Sequence, residues 1–272
     1  MNLLAKKESD APKSQADLLF EAQQRKDLRF KVNVALSWIV LLLILLFLFS
    51  GPIHIDGKFI QDNLVFIAGG LGETIRISLL SITFATILAL LAALGRLSTF
   101  PPVYAISTFY VSLMRGTPLY LQIFFFFLAL PQLGIVLPGL WAGVIALGLN
   151  YGAYMSEIFR AGLSSVGKGQ REAAMALGMT PGQTMQRIVL PQAMRFAIPP
   201  TGNEFIAMTK DSALVSATGF VHELMWRATK VGRAQFHNLE ALIMAAMFYW
   251  VMTLLLTYLQ SRIEARLSRG DR

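Results

Sequence analysis

Cysteine is absent from this 272-residue chain, and charged residues are scarce. Without cysteine there is neither a disulfide framework nor a thiolate metal site, and cysteine usage gives no indication of the redox compartment. Charged residues make up 15% of the sequence and hydrophobic residues 55%, with a mean hydropathy of +0.55. An ordinary soluble domain carries about 25% charged residues. We therefore expect an integral membrane protein.

Metal-binding and catalytic patterns are missing as well. The three histidines, His54, His222 and His237, lie too far apart for a local metal motif. No serine comes with a matched histidine and aspartate pattern for hydrolysis. The net charge of +8 is scattered beside apolar runs, without the clustering and aromatic interleaving typical of nucleic-acid surfaces. We predict no catalytic residue, no metal, no cofactor and no nucleic-acid partner.

Six apolar segments predict membrane spans. A helix needs roughly 20 mostly apolar residues, at about 1.5 Å each, to cross a bilayer. The third segment reaches that length only if residues 119–130 are joined to those from Tyr104 onward, which brings Arg115 inside the bundle or near an interface. The predicted spans are 32–49, 75–94, 104–130, 140–159, 193–221 and 241–259.

The remaining segments are predicted to be polar connections. Residues 1–31 mix charges of both signs with Ala, Ser and Gln, which indicates a mobile tail without a fold. Segment 32–49 is predicted to be a retained span. A cleaved signal peptide is the disfavoured alternative, because the polar lead is too long and no small-residue cleavage site follows. We expect loops at 50–63 and 222–238 and a turn at 131–138.

The positions of Lys and Arg predict the orientation. If the N-terminus is cytosolic, most basic residues lie on the cytosolic side, and both termini are cytosolic. The other side receives Lys58 and a basic group of Arg227, Lys230 and Arg233. For that basic group, a periplasmic docking surface and a solvated loop are equally good interpretations.

Residues 167–191 form a polar, basic island between two apolar segments, and they predict two short helices joined by a hinge. Helix formers fill the first half. Gly178 ends the first helix, because the residue after a helix usually needs a positive φ angle. Thr180 is then an N-cap, with Pro181 in the first turn and Gln183 three residues after the cap, which is a capping-box start.

Seven positions of the island follow one spacing, which resembles the EAA signature of permease subunits in binding-protein-dependent ABC importers. They are Glu172, Ala173, Ala174, Gly178, Ile188, Leu190 and Pro191. Other stretches are similar to the polar amino acid uptake family of these permeases: Arg115-Gly116-Thr117-Pro118-Leu119, Leu149-Asn150-Tyr151-Gly152-Ala153-Tyr154 and Gly202-Asn203-Glu204-Phe205 with Lys210-Asp211-Ser212. The resemblance covers about residues 70–259. The tail and first span depart from the five-span core usual in that family.

The resemblance implies several partners. Permeases of this family pair as homo- or heterodimers and receive substrate from a periplasmic or extracellular solute-binding protein. Each presses its EAA helix into a groove on a cytosolic ATP-binding subunit, so an ATPase dimer and a second permease subunit are expected around this chain. Membrane lipid surrounds the assembly.

The same resemblance implies which residues couple the permease to the ATPase. Apolar side chains on the first helix would fill the groove, with Arg171 at its polar rim and Glu172 hydrogen-bonded or paired within the loop. The second helix would carry ATPase motion to the spans. The expected coupling residues are Glu172, Ala173, Ala174, Leu177, Gly178, Ile188, Leu190 and Pro191.

Charged residues in the fifth predicted span suggest a substrate path. Inside a membrane, Glu204, Lys210 and Asp211 are costly unless they are paired or face a cavity, so they should point inward. Helical spacing puts the two acids on one stripe and Lys210 on the next. Lys210 would meet a substrate carboxylate and either acid an ammonium. Mutual pairing that only holds the bundle is an equal alternative. The Pro199-Pro200 pair predicts a local break that suits a gate or a simple kink.

Three polar residues of other spans are weaker candidates for the path. Asn150 is included tentatively with the path residues. For Asn150, Glu157 and Arg115 alike, a structural hydrogen bond or a helix-end position is the favoured interpretation.

We therefore expect an all-α integral membrane protein, a six-helix bundle resembling the transmembrane domain of a type I ABC importer. It has a five-helix core, an extra N-terminal span and a cytosolic EAA coupling helix, in a bacterial cytoplasmic membrane. The predicted units are a tail at 1–31, a first span at 32–49 and a permease domain at 64–262 with its coupling loop at 164–191. The rival prediction is an ion-coupled secondary transporter or channel, which would use the same buried charges but leaves the island unexplained.

Overall fold

The computed structural model of the protein describes residues 15–50 and 55–267. All regular structure within these residues is helical, and no strand occurs among them. The helices are α1 Gln15–Ser50, α2 Gly57–Ala68, α3 Leu71–Gly95, α4 Pro101–Gly116, α5 Leu119–Phe124, α6 Gly139–Ser165, α7 Lys168–Ala176, α8 Pro181–Thr184, α9 Leu190–Asp211, α10 Leu224–Gln235 and α11 Asn238–Leu267. Two π-helical turns, Phe125–Ala129 and Met185–Val189, and two 3₁₀ turns, Leu130–Leu133 and Ser212–Thr218, complete the regular structure of these residues.

Helix α1 belongs to a separate compact unit that ends at Asp56. It is one helix of 36 residues, and it begins at Gln15. The prediction of an unfolded tail is therefore wrong for residues 15–31, while residues 1–14 lie outside the described part of the chain. The physical reason is composition, because residues 15–31 contain strong helix formers and neither glycine nor proline.

Helices α3 and α6 form the centre of the second unit, Gly57–Arg272. Small and apolar side chains of both helices, among them Ala85, Ala89 and Leu147, are fully buried in one core cluster. Gly148 allows the close approach, since a Cβ there would lie 2.3 Å from a ring carbon of Phe84. The predicted spans 75–94 and 140–159 are confirmed as helices, each extended by a turn or more.

A second core cluster joins α2, α10 and α11. It buries Phe59 and Ile67 of α2 against Leu224 and Ala228 of α10. The loops predicted at 50–63 and 222–238 are therefore wrong in large part. Helices α2 and α10 begin within these segments. Both are short and amphipathic, with apolar residues that recur every three or four positions, a period that is easily missed in twelve residues.

The third predicted span is bent rather than straight. Helix α4 and the helical stretch Leu119–Leu133, which begins with α5, meet at an angle of 105°. Thr117 is extended at the bend, with φ −119° and ψ 144°, in keeping with the steric preference of a residue before proline for the extended region. The predicted span 104–130 is thus two helices rather than one, since Pro118 starts a new helix in a new direction, and whether the pair crosses the membrane as one span stays a prediction.

Helix α9 continues through Pro199 and Pro200. The prolines therefore do not end the helix, although neither can donate its backbone hydrogen bond, and the predicted kink stays a prediction. The helix ends at Asp211, where a 3₁₀ turn replaces the rest of the predicted fifth span. Helix α11 contains the predicted sixth span and extends beyond it at both ends.

By length and composition, two helical stretches of the described residues could cross a membrane, Gly57–Gly95 and Asn238–Arg266, or three with the bent pair of α4 and α5. Helix α6 is also long enough, since its 27 residues extend roughly 40 Å. It carries polar residues such as Asn150, which are buried in the protein rather than exposed on its outside. The helical membrane class is confirmed, and the count of six spans stays a prediction.

Candidate functional site

The island at 167–191 has the predicted local structure. Gly178 follows α7 with a φ angle of +78°, as expected for the residue that ends it. Thr180 Oγ1 accepts a hydrogen bond from the N–H of Gln183 at 3.3 Å, and Gln183 Oε1 accepts one from the N–H of Thr180 at 2.9 Å. This capping box starts α8, and Met185–Val189 joins α8 directly to α9. The second island helix is therefore continuous with the predicted fifth span.

The exposed surface of α7 and the turn after it includes large apolar side chains. Leu177 is 84% exposed and Met175 55% exposed, and Ala173 and Glu172 are also exposed. Glu172 has no hydrogen bond or ion pair within the described part of the chain, contrary to the pairing expected within the loop. Ala174 is only 3% exposed. Its expected place in a partner's groove is therefore corrected, because its methyl group packs inside the protein.

Side-chain hydrogen bonds fix α7 to the membrane helices. Arg171 Nη2 donates to the carbonyl oxygen of Leu163 in α6 at 2.6 Å, so Arg171 holds the loop rather than forming a rim. Gln192 Nε2 in α9 donates to Gln170 Oε1 in α7 at 2.6 Å. Ile188, in the π-helical turn, is half-buried, while Leu190 and Pro191 are exposed where α9 begins. Helix α7 is therefore hydrogen-bonded to both α6 and α9.

A polar cleft of about 500 Å³ lies where the bend between α4 and α5 faces α6 and α9. Its lining includes both polar and apolar side chains, with one cationic and two acidic residues among them. The lining residues are Arg115, Gly116, Thr117, Pro118, Leu119, Asn150, Tyr151, Tyr154, Glu204 and Asp211.

Two acids of α9 reach the cleft together. Glu204 and Asp211 are seven residues apart, so they share one helix face, as their spacing predicts. Tyr151 Oη donates to Asp211 Oδ2 at 2.8 Å. Lys210 is exposed and does not line the cleft. One residue in a helix turns the side chain by about 100°, so Lys210 lies off the face that the two acids share. Its expected contact with a substrate carboxylate is therefore not in this cleft and stays a prediction.

Arg115 supplies the cation of the cleft. Its Nη1 lies 3.1 Å from Glu157 Oε1, and its guanidinium lies 5.1 Å from the ring centre of Tyr154. Glu157 also pairs with Arg96 at 2.5 Å and with Arg160 at 2.9 Å. Glu157 thus has the structural role that was favoured for it, whereas Arg115 both pairs with Glu157 and faces the cleft.

Asn150 is buried and acts through its amide. Its Nδ2 donates to the carbonyl oxygen of Met114 at 3.1 Å and to Gln122 Oε1 at 3.3 Å. Sequence reasoning missed Tyr151 and Gln122 as site residues. Tyr151 stands beside Asn150 in a recognised motif, which is the signal that would have found it. Gln122 stands in an apolar run, where a lone amide is the signal.

The predicted basic outer loop is helix α10, and part of its charge is used internally. Arg227 Nη1 donates to the carbonyl oxygen of Phe66 at 2.9 Å. Glu223 caps α10 by accepting from the N–H groups of Met225 and Trp226, at 2.8 and 2.7 Å. Burial raises the pKa of Glu223, against the opposing effect of these hydrogen bonds. Structural roles thus explain Arg227, and the two interpretations remain for the exposed Lys230 and Arg233.

Metal chemistry has no candidate in the described residues, which contain no group of three or more His, Cys, Asp or Glu that could hold an ion. A helical bundle with a polar cleft among its membrane helices is typical of a transport protein's membrane subunit.

Comparison with known proteins identifies the class. Residues 81–269 match the family model described as the binding-protein-dependent transport system inner membrane component. The arginine transport system permease protein ArtQ of Bacillus subtilis is 42% identical over 219 residues, which are 80% of this chain and 100% of that protein. The L-cystine transport system permease protein TcyB of the same organism is 43% identical over 204 residues, which are 75% of this chain and 87% of that protein.

Solved structures agree with these sequence matches. A crystal structure of an amino acid ABC transporter with histidines contains a chain that is 36% identical, with a TM-score of 0.74, covering 79% of this chain and 100% of that one. The MetNI methionine ABC transporter, in an inward-facing conformation, gives a TM-score of 0.65 at 18% identity, over 78% of this chain and 99% of that one. The second likeness shows the fold alone.

The chain therefore belongs to the family of binding-protein-dependent transport system inner membrane components. It is a permease subunit of an ABC importer of the polar amino acid uptake family. Members of this family lie in the inner membrane, are not themselves ATPases, and work with ATPase and substrate-binding partners.

Proposed function

We propose that this permease carries amino acids through the cleft between α4, α6 and α9. The observation that carries the proposal is the presence of Arg115 together with Glu204 and Asp211 in one cleft of about 500 Å³. A free amino acid has a carboxylate and an ammonium group, so a path for it needs both signs of charge within reach of one molecule. The names of the relatives support this cargo class.

The carboxylate would bind Arg115. Three guanidinium groups surround Glu157, and three positive charges with one negative charge leave a net charge of +2. Such a cluster attracts a second carboxylate, since arginine stays charged at any ordinary pH. Arg115 is the member that lines the cleft. Its side chain is also more exposed than that of Arg96, at 42% against 17%.

The ammonium would bind the acids of α9. Asp211 is held in place by Tyr151. Glu204 is half-buried and has no hydrogen-bond partner within the described part of the chain. Two acids can meet two positive charges, so a substrate with a cationic side chain fits this cleft better than one with an anionic side chain. The arginine permeases among the relatives carry names consistent with that preference.

The same proposal includes the coupling element. Leu177, with Ala173 beside it, docks in a groove of a partner ATPase subunit, and Glu172 contacts that partner at its edge. Gly178 sets the turn, and Ile188, Leu190 and Pro191 transmit the motion into α9. The exposed apolar surface at Leu177 supports this assignment. The partner, in two copies, hydrolyses ATP, and a second permease subunit completes the membrane unit.

We further propose that both termini are cytosolic and that a solute-binding protein docks on the opposite side. The excess of Lys and Arg near the predicted cytosolic ends supports this orientation. On the opposite side, the exposed Lys230 and Arg233 of α10 offer positive charge to such a partner.

Reconstitution tests the proposed function. The permease would be placed in proteoliposomes with its ATPase and binding protein, and uptake of radiolabelled L-arginine, L-histidine and L-glutamine measured. We expect uptake that requires ATP and the binding protein. Uptake driven by an ion gradient without ATP would instead favour the secondary transporter.

Variants locate the path. Arg115→Ala and Glu204→Gln should reduce uptake at least about tenfold, because each removes a charged partner of the substrate. Arg76→Ala is the matched control, since Arg76 is exposed and pairs only with Glu73 among the described residues. If the two cleft variants fail to assemble with the ATPase while Arg76→Ala assembles, the charges hold the bundle and the path assignment is wrong.

A further inference from the structure

The bend between α4 and α5 leaves main-chain oxygens without their helical partners. In a continuous helix the carbonyl oxygen of Met114 would accept from the N–H of residue 118, but that residue is Pro118 and has no N–H. The carbonyl oxygen of Leu113 also lacks its helical partner, and it accepts a hydrogen bond from the Thr117 hydroxyl at 2.9 Å instead. A buried carbonyl left unpaired would cost as much as a lost hydrogen bond. The Met114 oxygen therefore needs a donor from elsewhere.

Two side-chain amides supply the missing donors. Gln122 Nε2 lies 2.8 Å from the Met114 oxygen, 2.8 Å from Thr117 Oγ1 and 3.2 Å from the Thr117 carbonyl oxygen. Asn150 Nδ2 lies 3.1 Å from the same Met114 oxygen and 3.3 Å from Gln122 Oε1. Both amides are buried, at 5% and 6% exposure. Gln122, which lies in α5 after the bend, thus holds the residues just before it.

We propose that Gln122 is a positioning residue that sets Arg115 in the cleft. Arg115 lies between Met114 and Thr117, the two residues that Gln122 holds, so the direction of the Arg115 side chain depends on these hydrogen bonds. Gln122 does not itself line the cleft, and it acts on substrate only through Arg115. A charged group binds its partner well only when its supporting hydrogen bonds fix it in place. The inference rests on the proposed function, in which Arg115 takes the substrate carboxylate.

The test measures what the carboxylate contributes to binding. The probes are L-arginine and agmatine, which is arginine without its carboxylate, and each Kd is measured on the permease–ATPase complex in nanodiscs without the binding protein. The ratio of the agmatine Kd to the arginine Kd reports the carboxylate contact. We expect a ratio of about ten or more in the wild type, as for a hydrogen bond to a charged group. In Gln122→Met and in Arg115→Ala the ratio should fall close to one.

A double-mutant cycle and a control separate positioning from general damage. Gln122→Met should change the ratio less than twofold when Arg115→Ala is already present, because the two residues act through one contact. Asn63→Leu is the matched control, since Asn63 is a buried amide whose one hydrogen bond among the described residues goes to the carbonyl oxygen of Phe59 in its own helix, at 2.9 Å. It should lower the melting temperature and leave the ratio unchanged. Gln122→Glu, of the same size but without the donors, replaces Gln122→Met if the latter does not assemble.

Each outcome decides the question. If the wild-type ratio is about ten and Gln122→Met leaves it unchanged, the inference is overturned but the proposed function is not. The same holds if the effects of Gln122→Met and Arg115→Ala on the ratio are additive. A wild-type ratio near one overturns the Arg115 assignment of the proposed function and the inference with it. A collapsed ratio in Gln122→Met beside a normal ratio in Asn63→Leu supports both.

Discussion

The hydroxyl of Tyr151 in α6 donates a hydrogen bond to Asp211 Oδ2 in α9 at 2.8 Å, across 60 positions of sequence. This contact joins the central helix of the bundle to the end of the helix that begins at the coupling element. It also orients an acid that lines the cleft. Asp211 therefore presents a fixed carboxylate oxygen to whatever enters.

Removing that hydroxyl should weaken substrate binding without unfolding the protein. In Tyr151→Phe the lost hydrogen bond costs about 1 kcal/mol, which a folded bundle tolerates. Asp211 is then free to turn away, and we expect the Kd for L-arginine to rise about fivefold, as measured on the permease–ATPase complex.

Tyr249→Phe is the matched control for this change. Tyr249 also donates to a carboxylate, that of Glu223, at 2.6 Å. This pair lies beside the second core cluster, which joins α2, α10 and α11, and not in the cleft. It should lower the melting temperature while the Kd stays within about twofold. An equal rise of the Kd in both variants would show that Tyr151 has no special role in binding.

A side chain at Gly178 should uncouple transport from ATP hydrolysis. The φ angle of +78° costs a non-glycine residue about 1–2 kcal/mol, and more for the branched side chain of Gly178→Val. We expect normal membrane insertion, loss of transport and loss of transport-coupled ATPase activity. Gly182→Ala is the control, because Gly182 has open space around it and no positive φ angle. Coupled activity in Gly178→Val equal to that of the control would contradict the assignment.

Substitutions at Leu177 and Ala174 should affect different properties, ATPase docking for the first and stability for the second. Leu177→Asp places a charge in the proposed ATPase groove and should reduce copurification of the ATPase at least about tenfold with an unchanged melting temperature. Ala174→Leu overfills a buried site and should lower the melting temperature. If Leu177→Asp leaves copurification intact, the docking surface lies elsewhere.

Reversal of the charge at Glu172 tests the edge of the same contact. Glu172 is exposed and has no partner within the described residues, so Glu172→Lys should not disturb the fold. We expect Glu172→Lys to impair ATPase docking, because the reversed charge no longer matches the ATPase surface that Glu172 contacts. Glu172→Gln removes the charge without reversing it and should have a smaller effect. Pull-down of the ATPase and its stimulated hydrolysis rate are the measurements. Identical behaviour of the Lys and Gln variants would mean that charge at this position is irrelevant.

The parts of this protein that sequence reasoning predicted well are those set by near neighbours in the chain. The turn at Gly178 and the capping box of Thr180 and Gln183 appear as expected, since backbone stereochemistry and local hydrogen bonds act within a few residues. The membrane class follows from composition, and the permease family from spacing within the island. The position of Glu204 and Asp211 on one helix face follows from helical periodicity.

Tertiary structure alone decided which residues meet in the cleft. Arg115 reaches it because Pro118 bends the chain, and Gln122 holds that bend without lining the cleft. Lys210 is kept out by its angle on α9. Ala174 faces inward for a similar reason, since packing and not composition selects the buried side of α7. These outcomes depend on contacts between helices far apart in sequence, such as that of Tyr151 with Asp211. A sequence pattern that acts over one helical turn does not contain them.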